Sequence, residues 1–180
     1  PAIGFTAEEV LRLAASLDQG SEHPLADAIV RAAREQGLVL DKTEGFESGS
    51  GIGVRGRVGG RQLALGNTAL MDQLGVDLSG LAAQGEALRG QGASVMFLAG
   101  DERLIGLLAV SDAVKTNTPE ALATLRSEGL RVVMATGDGL TTARAVATRL
   151  GIDEVHGEVK PADKLALVRR LQAEGRVVAM

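Results

Sequence analysis

Arg131-Val132-Val133-Met134-Ala135-Thr136-Gly137-Asp138 is an apolar run that ends in a hydroxyl, a glycine and a carboxylate. A short apolar run closed by a turn signal predicts a buried strand of the kind that parallel sheets contain. The polar triplet then falls at the strand's carboxyl end, the edge where open α/β sheets receive ligands. The surroundings agree. Thr118-Pro119 predicts a helix start, Leu140 to Leu150 and Pro161 to Ala173 predict two more helices, and Val177 to Met180 predicts the beginning of another apolar strand. Strands alternating with helices imply βαβ units and part of a doubly wound parallel sheet.

Upstream the pattern differs. Thr6-Ala7-Glu8-Glu9 reads as a capping box, and Val10, Leu11, Leu13, Ala14 and Leu17 supply a helical apolar stripe. A second helix is predicted from Pro24 to a stop at Gly37. Between Gly45 and Gly66, glycines punctuate short alternating segments, with a hairpin across Gly59-Gly60. Short helices are predicted near 68–74 and 79–90, then a second hairpin, Ser94 to Ala99 with Arg103 to Val110, across Gly100-Asp101. The fold class is therefore α/β. An α+β lobe with an antiparallel sheet flanked by helices is expected over 1–110, and part of a doubly wound parallel sheet over 111–180.

With 180 residues and 45% hydrophobic content, either lobe can bury a core. The net charge of −4 gives no general attraction for nucleic acid or an anionic membrane. No apolar run approaches the roughly 18 residues that span a bilayer. There is no cysteine, which excludes disulfides and thiolate metal sites, and the two histidines, His23 and His156, are far apart, so no structural zinc site is expected. Phe5, Phe46 and Phe97 are the only aromatic residues, so a bound purine would rely on aliphatic walls, an imidazole and backbone groups.

Four stretches could carry chemistry. Ser21-Glu22-His23-Pro24 puts an imidazole beside the free N–H groups of a starting helix. A lone His-Pro is more often a surface residue next to an N1 proline. Gly51-Ile52-Gly53-Val54-Arg55-Gly56 matches the dinucleotide fingerprint in form, but it leads into a hairpin where the fingerprint needs a helix. Its glycines either mark turns or let the chain pass close to a flat ligand, and Gly66-Asn67 can do the same while offering an amide. Thr136-Gly137-Asp138 can offer a hydroxyl and backbone N–H groups to a phosphoryl oxygen, or be a turn with an acidic helix cap. Lys160, before Pro161, can neutralise phosphoryl charge or be solvated. Asp41-Lys42-Thr43 imitates a phosphorylation loop but lacks a preceding buried strand, and it is read as a solvated linker.

Taken in order, these stretches resemble the heavy-metal-transporting (type IB) P-type ATPases, especially the copper(I) pumps, over nearly the whole chain. Ser21-Glu22-His23-Pro24-Leu25 is similar to the family's SEHPL signature. Gly51-Ile52-Gly53 and Gly66-Asn67 resemble its other nucleotide-contact motifs, and Asp112-Ala113-Val114-Lys115 its return strand into the phosphorylation domain. Thr136-Gly137-Asp138 and Lys160-Pro161-Ala162-Asp163-Lys164 resemble its TGD and KPxxK-type motifs.

The resemblance implies an ATP-binding domain (1–110) inserted in a haloacid-dehalogenase-like phosphorylation domain (111–180, in part). It assigns nucleotide contacts to Asp18, Glu22, His23, Gly51, Gly53, Val54, Gly66 and Asn67, with His23 orienting the adenine. It assigns phosphoryl handling to Thr136, Gly137, Asp138 and Lys160. The family has glutamate five residues before the histidine where this chain has Asp18, one methylene shorter, and Asn or Asp is common where this chain has Gly139.

The resemblance further implies that ATP or ADP is bound with Mg2+, whose ligands lie mostly outside these residues. The phosphorylated aspartate of DKTGT and the GDGxND motif are also expected elsewhere, as are the actuator and membrane domains. The chain is then expected to be a soluble cytoplasmic piece of an integral membrane pump (plasma or inner membrane) that does not turn over alone. Two other classes stay open. A dehalogenase-type phosphatase would need a nucleophilic aspartate after a buried strand, and a non-catalytic interaction domain would use its glycines only for turns.

Overall fold

Thr6 begins the first helix as the sequence predicts. Its hydroxyl accepts from Glu9 N–H at 3.2 Å, and the Glu9 carboxylate accepts from Thr6 N–H at 2.8 Å. This reciprocal cap holds Glu9 below the usual carboxylate range, first through the backbone bond to Thr6. The computed structural model describes residues 1–49, 51–111 and 114–180. They form two compact units, Pro1–Leu88 with Val95–Ser111, and Arg89–Ser94 with Asp112–Met180.

The first unit contains α1 (Ala7–Asp18), α2 (Pro24–Glu35), β1 (Thr43–Gly49), β2 (Gly53–Val58), β3 (Arg61–Gly66), α3 (Thr68–Gln73), α4 (Ala82–Gly90), β4 (Ser94–Gly100) and β5 (Arg103–Val110). The strands form one meander in the order β1-β2-β3-β4-β5, antiparallel where β1 meets β2, β2 meets β3 and β3 meets β4. Side chains alternate across a strand, and two cores follow from that. Leu63, Leu65, Leu98 and Ile105 join Val10, Leu13 and Leu17 of α1 and Ile29 of α2. Ala64, Phe97 and Ala99 join Leu70 and Met71 of α3 on the other face.

Asp41 and Lys42 do form the connection into β1, but it is tied down: Asp41 pairs with Arg12 of α1, and the Thr43 hydroxyl donates to the Ser16 carbonyl at 2.6 Å. Two other local readings differ from the structure. The hairpin tip lies one residue later than expected. Asp101 and Glu102 both take positive φ, at 49° and 64°, and Asp101 N–H donates back to the Gln62 carbonyl at 2.9 Å. The second short helix begins at Ala82, because Leu78 to Leu81 is spent in a turn in which Leu81 N–H donates to the Leu78 carbonyl.

The second unit adds α5 (Thr118–Ser127), β6 (Val133–Ala135), α6 (Leu140–Leu150), β7 (Glu154–His156) and α7 (Pro161–Ala173). β6 and β7 pair in parallel, Val133 with Glu154 through Ala135 with His156. The expected strand from Arg131 is shorter and only half-buried, since its described partner is β7 alone. Val177 to Met180 is not a strand. Val177 and Met180 are fully exposed, and no described strand supplies the hydrogen bonds an extended segment needs. Of the expected return strand at 112–115, Asp112 and Ala113 lie outside the described residues, and Val114 and Lys115 are not in a strand.

Candidate functional site

In the first unit, α1 ends and α2 begins around Asp18, Glu22 and His23. The Asp18 carbonyl accepts from Ser21 N–H at 2.9 Å, turning the chain. Gly20 lies close to β1 at this turn: a Cβ there would stand 3.1 Å from the Phe46 ring. His23 is the N-cap of α2, and its Nδ1 accepts from Leu25 N–H at 3.2 Å. That bond puts the proton of the neutral ring on Nε2. Since His23 is exposed, its Nε2–H edge and its ring face remain available. Asp18 is 4% exposed, and this burial pushes its carboxyl up to about 6. Glu22 lies on the surface.

Gly51, Gly53, Gly66 and Asn67 are drawn into one knot. The Asn67 side-chain amide donates to the Gly51 carbonyl at 3.0 Å, its oxygen accepts from Leu70 N–H at 3.1 Å, and its backbone N–H donates to the Ile52 carbonyl at 3.0 Å. Gly53 pairs with Gly66 across β2 and β3. The clearance expected for a ligand is used at Gly53 by the chain itself. A Cβ there, at φ 141°, would stand 2.3 Å from the Leu65 carbonyl oxygen and 2.6 Å from Gly66 Cα. Gly51, at φ 75°, has open space around it and serves the turn. The Val54 side chain lies in the core beneath α1, so its backbone is what it can offer a ligand. No hydrogen bond joins this knot to Asp18, Glu22 or His23 among the described residues.

In the second unit, Thr136, Gly137, Asp138 and Lys160 come together at the carboxyl ends of β6 and β7. Thr136 N–H donates to the His156 carbonyl at 3.0 Å, Val159 N–H to the Thr136 carbonyl at 2.9 Å, and Glu158 N–H to the Asp138 carbonyl at 2.7 Å. The loops are laced so closely that a Cβ on Gly157 would meet Leu140 Cα at 2.7 Å. Two helices start at this edge. α6 has no side-chain cap at Gly139, and α7 begins after Lys160, whose backbone N–H donates to Asp163 Oδ2 at 3.1 Å. Free N–H groups at a helix start attract anions. The Lys160 side chain is exposed and makes no ion pair among the described residues.

Asp138 accepts the Thr136 hydroxyl at 2.7 Å. The sequence reading missed Glu154 and its partners. Glu154 pairs with Arg131, His156 and Arg170, tying β7 to α7 and to the entry of β6. The His156 hydrogen bond is the main reason that Glu154 lies below the usual carboxylate range. The mixed signs at 154 and 156 were a signal for side-chain pairing across one face of a strand.

No group of three or more His, Asp or Glu is placed to hold a metal ion among the described residues. No described helix is long and apolar enough to cross a membrane.

The chain matches the haloacid dehalogenase-like hydrolase family over residues 3–180. It is 48% identical over 180 residues to a copper-transporting P-type ATPase of Rhizobium leguminosarum bv. viciae, covering 99% of this chain and 21% of that protein. It is 44% identical over 171 residues to a silver exporting P-type ATPase of Salmonella typhimurium, covering 95% and 21%. The chain thus spans about a fifth of the length of these relatives. Among solved structures, a zinc-transporting PIB-type ATPase in its E2.Pi state superposes with a TM-score of 0.66 at 29% identity, over 97% of this chain and 28% of that one. The N-domain of a copper-transporting P-type ATPase superposes with a TM-score of 0.52 at 27% identity, over 61% of this chain and 93% of that one.

Proposed function

Because the chain belongs to the haloacid dehalogenase-like hydrolases and is similar along its length to heavy-metal P-type ATPases, we propose that it is the nucleotide-handling part of such a pump. In this reading residues 1–110 bind ATP and residues 111–180 form part of the phosphorylation domain. The phosphate goes to an aspartate outside this chain, and the transported ion is copper(I). The other pump domains, including actuator and membrane segments, are the partners, and these residues face the cytoplasm. Magnesium would neutralise phosphate charge with ligands from those other segments.

The observation that carries the reading is the free Nε2–H edge of His23, fixed by the bond from Leu25 N–H to Nδ1. A ring held in this way can meet a purine over its face or at its edge. Asp18 lies five residues earlier and is nearly enclosed, so a base amino group would reach only the rim of its carboxylate. At the other site, the Thr136 hydroxyl and Lys160 would share the charge of a phosphoryl group, supported by the starts of α6 and α7.

Titration of the chain with ATP, ADP and AMP, followed by amide spectra, tests this. Binding in the micromolar to millimolar range, largely independent of magnesium, is expected to move signals across 18–67. His23→Gln is expected to weaken it by about tenfold or more, the scale of one lost contact to a buried base. Unmoved spectra at millimolar ATP would leave the interaction-domain reading in its place.

A further inference from the structure

Strict alternation along β1 would send Phe46 away from α1. Thr43 faces α1, where its hydroxyl donates to the Ser16 carbonyl, so positions 44 and 46 would face the other side. β1 carries one extra residue instead. Glu44 pairs with Arg57 and Glu47 with Arg55, which leaves Gly45 and Phe46 opposite Gly56 alone. Gly45 takes φ 59° there, as the left-handed residue of a glycine bulge does. The extra residue reverses the alternation, and Phe46 packs against the core beneath α1.

The ring thereby comes to lie under the turn between α1 and α2. A Cβ on Gly20 would stand 3.1 Å from Phe46 Cγ and 3.2 Å from each Cδ, so Gly20 sits over the face of the ring. The described hydrogen bonds of the turn beyond Gly20 are local. Ser21 N–H donates to the Asp18 carbonyl, and His23 N–H donates to the Ser21 hydroxyl at 3.3 Å. They shape the turn, and the ring sets its distance from the sheet. β1 itself is held at both ends. Ser16 is 0% exposed, and its hydroxyl accepts from Asp41 N–H at 3.0 Å while donating to the Arg12 carbonyl at 2.7 Å. The Gln19 amide donates to the Asp41 carbonyl at 2.9 Å. Past the bulge, Ser48 and Gly49 pair with Val54 and Gly53.

We propose that Phe46 is a positioning residue that acts through Gly20 to set the height of the turn, and with it the place where the His23 ring meets a purine base. A smaller side chain at 46 lets the turn sink, and a side chain at 20 lifts it. Either way the contact suffers, since a gap of about 0.5–1 Å forfeits a quarter to a half of a dispersion contact. The role toward the base rests on the function proposed above, whereas the spacer contact does not.

A size-swap cycle on the whole chain tests this, with ATP as the probe: wild type, Phe46→Leu, Gly20→Ala and the double variant. Gly20 has no positive φ, so alanine there meets the ring and no backbone penalty. ATP affinity is expected to fall about five- to tenfold in each single variant. In the double it returns to within about threefold of wild type, because the added methyl fills space that the ring gave up. The Glu22 amide and the His23 ring protons shift in the single variants and return in the double, while the Leu25 amide, which reports the cap, stays in place throughout. Losses that add in the double variant overturn the proposal, as do single variants that lower the urea midpoint with ATP affinity unchanged. If wild type does not bind ATP, the nucleotide reading fails, yet the His23 ring signals across the cycle still decide whether Phe46 sets the turn. Should Phe46→Leu not fold, Gly20→Ala decides alone, and unmoved His23 ring signals refute the spacer.

Discussion

In the first unit, neighbouring strand positions feed separate cores, with Leu63 and Leu65 on one face and Ala64 on the other. In the second, all three residues of β6 and all three of β7 are half-buried, and α7 buries none of its residues. Burial holds the first unit, while backbone lacing, helix ends and charge pairs hold the second. Arg126 shows the contrast, since its guanidinium donates to the carbonyls of Leu150 and Gly151 at the end of α6. The sites follow the same division. Asp18 and the Gly51 to Asn67 knot sit on densely packed elements, whereas Thr136, Asp138 and Lys160 sit on elements with little burial, where local opening is cheaper.

The largest expected effect is at Phe97, which is 1% exposed. Phe97→Ala should destabilise the first unit by about 3–5 kcal/mol, while Leu122→Ala in the second should cost nearer to about 2 kcal/mol, because Leu122 is the one buried residue of α5. Denaturation followed by signals from each unit checks this, and equal losses would break the contrast. Next come two glycines a turn apart. Gly53→Ala drives a Cβ into the Leu65 carbonyl and should cost about 3 kcal/mol, whereas Gly51→Ala meets open space and should cost about 1 kcal/mol for its positive φ. Similar urea midpoints for the two variants would mean that β2 and β3 do not meet as closely as described.

A pH-dependent effect sharpens the account of burial. Asp18 has a folded pKa of about 6 against an ordinary 3.8. Below the lower value both states are protonated and Asp18 contributes nothing. Between the two values the unfolded chain releases its proton first, so stability falls as pH rises and levels off above about 6. Asp18→Asn removes that slope and should stabilise the chain near neutral pH, relative to its effect near pH 4, by on the order of 1–3 kcal/mol. A pH series of thermal midpoints that runs parallel for both proteins would show that the carboxyl is solvated.

Much of the first unit was legible because its signals are local. The Thr6 to Glu9 box, the proline at the start of α2 and the glycine pair of the hairpin each act within a few residues. The Asp101-Glu102 tip was misplaced because two non-glycine residues adopt positive φ there, held by Gln62, which lies 39 positions from Asp101. β7 was missed for the opposite reason: it has three residues with charged or titratable ends and no apolar run. Val177 to Met180 has the composition of a strand, but a strand also needs a neighbour. For the candidate sites, residue types and their place at element ends were readable. The use of Gly53 by its own sheet depends on Leu65 and Gly66, which lie in another strand.

The cap on α2 also limits what can dock against it. Because Nδ1 of His23 is engaged by Leu25, the ring shows the outside one donor and no acceptor. A flat heterocycle arriving edge-on must therefore bring its own lone pair, and one arriving over the face needs only area. Helix initiation thus filters which rings can dock, and it does so before any are present.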